Sequence, residues 1–303
     1  MANIIAVIWD FDKTLINGYM QDPMFEEYGV NASEFWKENN ALPSQYEKEY
    51  GIRVNADTIY LNRFIKFARE GKFPGLNNEK LMEFGKKQKF YPGIPEFFQE
   101  SKALIEKDPK YKEYGILVEH YIVSTGMAAV IRGSAVADHV SGIWGCELLD
   151  GKTVNGDTVI SEIVYTIDNT TKTKAIFEIN KGVGVIDGIT ANSNLAPELR
   201  RVPFENMIYI ADGPSDVPAF SVVNGRHGAT FAIYPHGDQK ALHQVEQLRM
   251  DGRINMFAEA DYSKDSTAYM WIMNKIKQFA DRIREQERQR ISANLTDAPK
   301  HLT

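Results

Sequence analysis

Residues 3–15 read NIIAVIWDFDKTL. Asn3 to Trp9 is an almost unbroken apolar run, the pattern of a strand in a parallel sheet covered on both faces. Two carboxylates, Asp10 and Asp12, come directly after it. An acid pair at the end of a buried strand is either a solvated strand end or the holder of something positively charged.

The rest of the chain narrows that choice. It has 303 residues, room for one large domain or two modest ones. Hydrophobic residues make up 43% and charged residues 25%, the balance of an ordinary globular protein. The net charge of −6 offers no basic footprint for nucleic acid or for an anionic membrane. Cys146 is the single cysteine; no internal disulfide can form, and a lone thiol reads as a small buried hydrophobe. The stretch MANIIAVIWDFD carries no basic n-region and is not expected to act as a signal peptide. No run of about 18 apolar residues occurs, so no membrane span is expected and a cytoplasmic setting is anticipated.

From residue 91 onward helical and strand-like stretches alternate. Strands are expected at 120–124, 144–149, 163–167, Met207–Ala211 and 230–234, with a turn at Asp150-Gly151-Lys152 between the second and third of these. Helices are expected at 95–106, at Lys172–Lys181 before Gly182, and from Thr267 to about Ser292; Thr125-Gly126-Met127 is expected to open another. Such alternation argues for an α/β fold with a Rossmann-like, doubly wound parallel sheet. Residues 16–90 have a different character, aromatic, charged and helix-like. Between Asp57 and Gly71, Tyr60, Leu61, Phe64, Ile65 and Ala68 recur on one helical face.

Ligands of doubly wound sheets bind beyond the carboxyl ends of the strands, so the residues just after each strand are decisive. Asp10 and Asp12 come after the first. Ser124, Thr125 and Gly126 come after HYIV, and Asp212 and Asp216 after MIYIA in the spacing DGPSD. Lys174 stands at the start of a helix between the last two. Clustered carboxylates repel unless a cation joins them, and hard oxygen ligands suit Mg²⁺ with substrate phosphate. A hydroxyl with amides at a helix start suits an anion, and a lysine supplies a point charge to phosphate. Together they read as phosphoryl transfer.

These segments, Asp10-Phe11-Asp12-Lys13-Thr14-Leu15, Ser124-Thr125-Gly126, Lys174 and Asp212-Gly213-Pro214-Ser215-Asp216, resemble in order the four motifs of the haloacid dehalogenase (HAD) superfamily. The stretch HYIVSTGMAAVIRGSAVADHVSGIWGCELLDGKTVNG resembles its phosphoserine-phosphatase-like branch. The resemblance implies a discontinuous catalytic core (1–15 and 91–292) and a helical cap (16–90); residues 293–303 look frayed and are expected to be a disordered tail. It implies Asp10 as nucleophile, forming an aspartyl-phosphate, and Asp12 as general acid and then base. Asp10, Asp12, Asp212 and Asp216 would hold Mg²⁺; Ser124, Thr125 and Gly126 would bind phosphate; Lys174 would neutralise the charge. Lys174 is preferred to Lys172 because it directly precedes the apolar pattern Ala175, Ile176, Ile179.

The implied activity is Mg²⁺-dependent hydrolysis of a small phosphorylated metabolite by a phosphomonoesterase. Transfer to an acceptor other than water, and non-catalytic binding of a phosphate ligand, stay open. The second acid of the first motif disfavours a dehalogenase. Phosphoserine phosphatases of this kind carry a Glu shortly after the first motif; here Tyr19, Met20 and Gln21 stand there. The segment 182–206 is a surface excursion or part of a homodimer contact. His236 is read as a loop residue before a substrate contact, and Phe35, Trp36, Tyr46 and Tyr60 as core of the cap before a substrate platform.

Overall fold

Strand β1 (Asn3–Trp9) runs through the centre of the molecule; the computed structural model describes residues 3–296. Ile5, Val7 and Trp9 enter one hydrophobic cluster, while Ile4, Ala6 and Ile8 enter another on the opposite face. Because side chains alternate along a strand, an all-apolar strand builds two cores at once.

The chain then forms α1 (Asp22–Tyr28), α2 (Ala32–Tyr50), α3 (Ile59–Arg69) and α4 (Asn78–Gly85) before returning to the sheet. α5 (Glu96–Glu106) and the single turn α6 (Pro109–Lys112) lead to β2 (Ile116–Met127), α7 (Ala128–Gly133) and the strands β3 (Gly142–Lys152) and β4 (Thr158–Tyr165). The remaining elements are α8 (Lys172–Lys181), β5 (Met207–Ala211), α9 (Val217–Asn224), β6 (Ala229–Tyr234), α10 (Gln239–Met250), β7 (Met256–Glu259) and α11 (Thr267–Thr296). The sheet order is β4-β3-β2-β1-β5-β6-β7. Every neighbouring pair is parallel except β3 with β4. α5 and α11 cover one face, and α8, α9 and α10 the other. The doubly wound α/β architecture is therefore present. β1 lies between β2 and β5, so the ends of all three strands open on one sheet edge.

Three local expectations are corrected. β2 continues through Met127 and α7 starts only at Ala128, so Thr125-Gly126-Met127 is extended and does not open the helix. The hairpin turns at 153–157, where the Thr153 N–H donates to the Asp157 carbonyl at 2.9 Å, whereas Asp150-Gly151-Lys152 lies inside β3. Asn155-Gly156 is the stronger turn signal, and Gly156 takes the positive φ of 88°. α11 extends to Thr296, so the expected tail begins in helix; 297–303 lie outside the described residues. The 182–206 segment is mostly exposed and contains only two short 3₁₀ turns. Arg201 ties it to β2 through two 2.6 Å bonds to Glu119.

The four inserted helices close around Phe25, Phe35, Phe64, Phe73 and Phe84, all buried. They dock on the sheet domain by backbone contact. A Cβ on Gly133 of α7 would lie 2.0 Å from the Met82 carbonyl oxygen of α4, and one on Gly85 would lie 2.2 Å from the Val130 carbonyl. Neither backbone can yield without separating the helices. Gly133→Ala should therefore cost about 1–3 kcal/mol as an overpacking change, read as a lowered urea midpoint. An unchanged midpoint would show that α4 and α7 part freely.

Candidate active site

The first acid pair leaves β1 at a sharp bend. The Asp10 N–H still donates to the Ile210 carbonyl of β5 at 2.9 Å. Lys13 then takes a left-handed φ of 56°, uncommon outside glycine. The Met20 N–H donates to Asp12 Oδ1 at 2.9 Å, which orients that carboxyl. Asp212 and Asp216 lie just after β5, and carboxylate oxygens of Asp10, Asp212 and Asp216 lie within 4.8 Å of one another.

The cation among them is Lys172, the first residue of α8. It is 1% exposed, and its Nζ lies 2.8 Å from Asp10 Oδ1 and 2.7 Å from Asp216 Oδ1. Burial works against its charge, but the two carboxylates outweigh burial and hold it protonated. Lys174, the lysine expected here, is not in the site. Its side chain is 50% exposed and pairs with Glu178 at 3.4 Å. The reason is helical phase. Ala175, Ile176 and Ile179 face the core, and they are three, four and seven residues after position 172. Position 174 is adjacent in sequence to that stripe but about 100° from it around the helix. The periodicity carried the signal; adjacency concealed it.

Asp216 is fully buried. Its Oδ1 also accepts from the Tyr209 hydroxyl at 2.5 Å, and its Oδ2 from Ser215 Oγ at 2.9 Å. With both oxygens engaged, Asp216 is suited to anchoring Lys172 and a cation's water shell. Asp10, Asp212 and Asp216 could together hold a cation. Tyr209 carried no recognisable signal, because its partner lies seven residues on, beyond a turn. Thr14 Oγ1 stands 3.5 Å from Asp10 Oδ2, at the edge of hydrogen-bonding distance.

Four carboxylates thus gather around one buried ammonium, and the protonation of Asp10, Asp12 and Asp212 reflects the imbalance. Burial pushes Asp10 up to about 6, with Lys172 opposing and Asp216 adding to the rise. Burial, then Asp10 and Asp216, push Asp212 up to about 7. Burial, then Asp10, hold Asp12 well above the usual carboxylate range. A divalent cation would relieve this repulsion, and the all-oxygen donor set fits Mg²⁺.

The expected phosphate motif ends β2 beside β1, but its amides are not all free. The Gly126 N–H donates to Ser124 Oγ at 3.0 Å, and the Met127 N–H meets Met20 Sδ at 3.1 Å. The Thr125 carbonyl accepts from the Tyr60 hydroxyl at 3.0 Å and faces Cys146 Sγ at 3.3 Å. The inserted segment therefore sits directly on this motif. His236 is exposed and pairs with Glu259 at 2.8 Å, as a loop residue does. A cleft of about 520 Å³ opens where the insert meets the core, near Ile16, Tyr19, Glu26 and Lys87, and none of the four carboxylates lines it.

No family model matches the chain. An uncharacterized protein of Borreliella burgdorferi is 37% identical over 286 residues, spanning 90% of this chain and 97% of that one. Similar solved structures include a HAD family hydrolase from Salmonella enterica serovar Typhi, with a TM-score of 0.49 and 14% identity over 85% of this chain and 67% of that one. A phosphoserine phosphatase holding a phospho-aspartyl intermediate analogue has a TM-score of 0.43 and 17% identity over 84% of this chain and 92% of its own. No helix among the described residues is long and apolar enough to cross a membrane.

Proposed function

We infer the activity from one premise: the chain belongs to one family with the Borreliella burgdorferi protein, and its fold is that of the haloacid dehalogenase superfamily. We propose that it is a Mg²⁺-dependent phosphomonoester hydrolase acting on a small phosphorylated compound. One observation carries this reading. Lys172 bridges Asp10 and Asp216 inside an excess of carboxylates, at the sheet edge that Ser124 shares.

Asp10 attacks phosphorus through a carboxylate oxygen, the P–O bond to the leaving group breaks, and an aspartyl-phosphate forms. Lys172 holds Asp10 in place and offsets charge as it develops. Asp12, whose burial holds its carboxyl well above the usual carboxylate range, gives a proton to the departing oxygen. It then takes one from the water that attacks the aspartyl-phosphate, releasing phosphate and restoring Asp10. Such acid–base help is typically worth about 10²–10⁴-fold. Ser124 Oγ binds a phosphate oxygen. Asp10, Asp212, Asp216 and the Asp12 carbonyl would hold Mg²⁺, which would supply charge neutralisation.

Phosphate release from p-nitrophenyl phosphate should require Mg²⁺ and stop with a chelator. Release that survives chelation would overturn the metal assignment. A thermal-shift series gives a second readout. Folded Asp10 and Asp212 hold protons above the ordinary 3.8. The metal-free protein is therefore most stable on their account below that value, and loses this stability as pH rises toward about 7. A cation binds the deprotonated carboxylates, so Mg²⁺ should raise the melting temperature more at about pH 7.5 than at about pH 5. An equal rise at both would show that it binds elsewhere.

A further inference from the structure

We propose that a cavity at the amino ends of β5 and β6 binds a small organic phosphate through the guanidinium groups of Arg200 and Arg226. The site lies at the sheet edge opposite Asp10 and Asp212, and it stands whether or not that other edge hydrolyses phosphate esters.

The topology sets the two places apart. β5 ends at Ala211, immediately before Asp212, and begins at Met207, just after Pro203, Phe204 and Glu205. The parallel strand β6 begins at Ala229, just after Arg226 and His227. These two segments, with Pro197 and Arg200, line a cavity of about 350 Å³, a volume in the range of small-molecule sites. The 5 residues of β5 put roughly 15 Å of strand between it and Asp212.

The lining selects its ligand. Arg200 is half-buried; its guanidinium has neither ion pair nor hydrogen bond among the described residues, and its Nε is buried without a partner. Arg226 also lacks a carboxylate partner and donates only a long 3.5 Å bond to the Val222 carbonyl. Its guanidinium lies over the rings of Phe204 and Phe177, 5.1 and 5.3 Å from their centroids. Such stacking holds the planar group in place and leaves most of its five donors unspent. Glu205 is the single acid of the lining, against two guanidiniums and the imidazole of His227. A third guanidinium, that of Arg282, donates to the Glu205 carbonyl and to Asn206 Oδ1. The excess is positive, and guanidinium forks match phosphate oxygens in pairs. Pro197, Pro203 and Phe204 add apolar wall, and the volume exceeds what a bare phosphate fills. The ligand therefore carries an organic part.

The test is calorimetric titration of the full chain, cleared of divalent cations, with phenylphosphonate and with inorganic phosphate. Phenylphosphonate mimics an organic phosphate and resists hydrolysis, so turnover plays no part in the readout. Without a cation the acid cluster at the other sheet edge repels anions. Phenylphosphonate should bind one to one, and more tightly than phosphate. Arg200→Gln and Arg226→Gln should each weaken it by about tenfold, the effect of a lost charge-assisted hydrogen bond. Glu205→Gln should tighten it, and Ser124→Ala should leave it unchanged. Arg200→Gln breaks no contact within the protein, so its melting temperature should match the wild type; a purely structural role would lower that temperature and leave the affinity unmoved. Three results would each overturn the proposal: no binding at about 10 mM, affinity lost in Ser124→Ala and kept in both arginine variants, or phosphate bound as tightly as phenylphosphonate.

Discussion

On the proposed mechanism, Asp10→Asn should abolish phosphate release, by at least about 10⁴-fold, while the protein stays folded. The amide cannot attack phosphorus, and no other carboxylate shares the Asp10 position against Lys172. Folding should survive because the substitution keeps the shape and removes a repelling charge. Asp10 is pushed up to about 6 by burial and helps to push Asp212 up to about 7. The Asn oxygen can still accept from Lys172, which keeps its second partner, Asp216. The variant's urea midpoint, measured near neutral pH without divalent cation, should therefore equal or exceed that of the wild type. Substantial residual turnover would place the nucleophile elsewhere. A collapsed midpoint would make Asp10 structural first and leave the kinetic loss uninterpretable as chemistry.

Lys172→Met should be damaging twice over, and Lys174→Met close to silent. Removing the Lys172 ammonium leaves Asp10 and Asp216 buried without their cation. Breaking such a pair from one side typically costs about 3–5 kcal/mol. The loss should be largest near neutral pH and smaller in acid, where protonation lets the carboxyls shed their charge. Turnover should fall by at least about 10²-fold, the scale of a lost electrostatic contact in a buried site. Adding Asp10→Asn to Lys172→Met should recover part of the stability, because the two groups are coupled. Lys174 loses a half-exposed i,i+4 pair with Glu178, worth under about 0.5 kcal/mol, and a place over the Tyr165 ring at 5.5 Å, worth about as little at an exposed site. The reverse ranking, with Lys174→Met inactive and Lys172→Met active, would return the charge-neutralising role to position 174.

The sequence by itself determined the sheet and the acids at its edge. An all-apolar strand such as Asn3–Trp9 can be stable only when covered on both faces, and strand–helix alternation leaves few topologies for it. Asp10, Asp12, Asp212 and Asp216 come directly after strands, so local pattern alone sends them to the carboxyl edge. The helical nature of 16–90 was equally legible, because Tyr60, Phe64 and Ala68 recur at the helical period.

What only the tertiary structure decided is where side chains point once elements pack. Lys172 enters the site and Lys174 does not because the phase of α8 against the sheet is set by Ala175, Ile176 and Ile179 together. Thr125-Gly126 stays extended because β2 is held between β1 and β3 beyond the point where local pattern suggested a helix. Tyr209 reaches Asp216 only through the turn that folds the chain back on β5. Each of these depends on contacts between residues distant in the chain, which short-range periodicity does not encode.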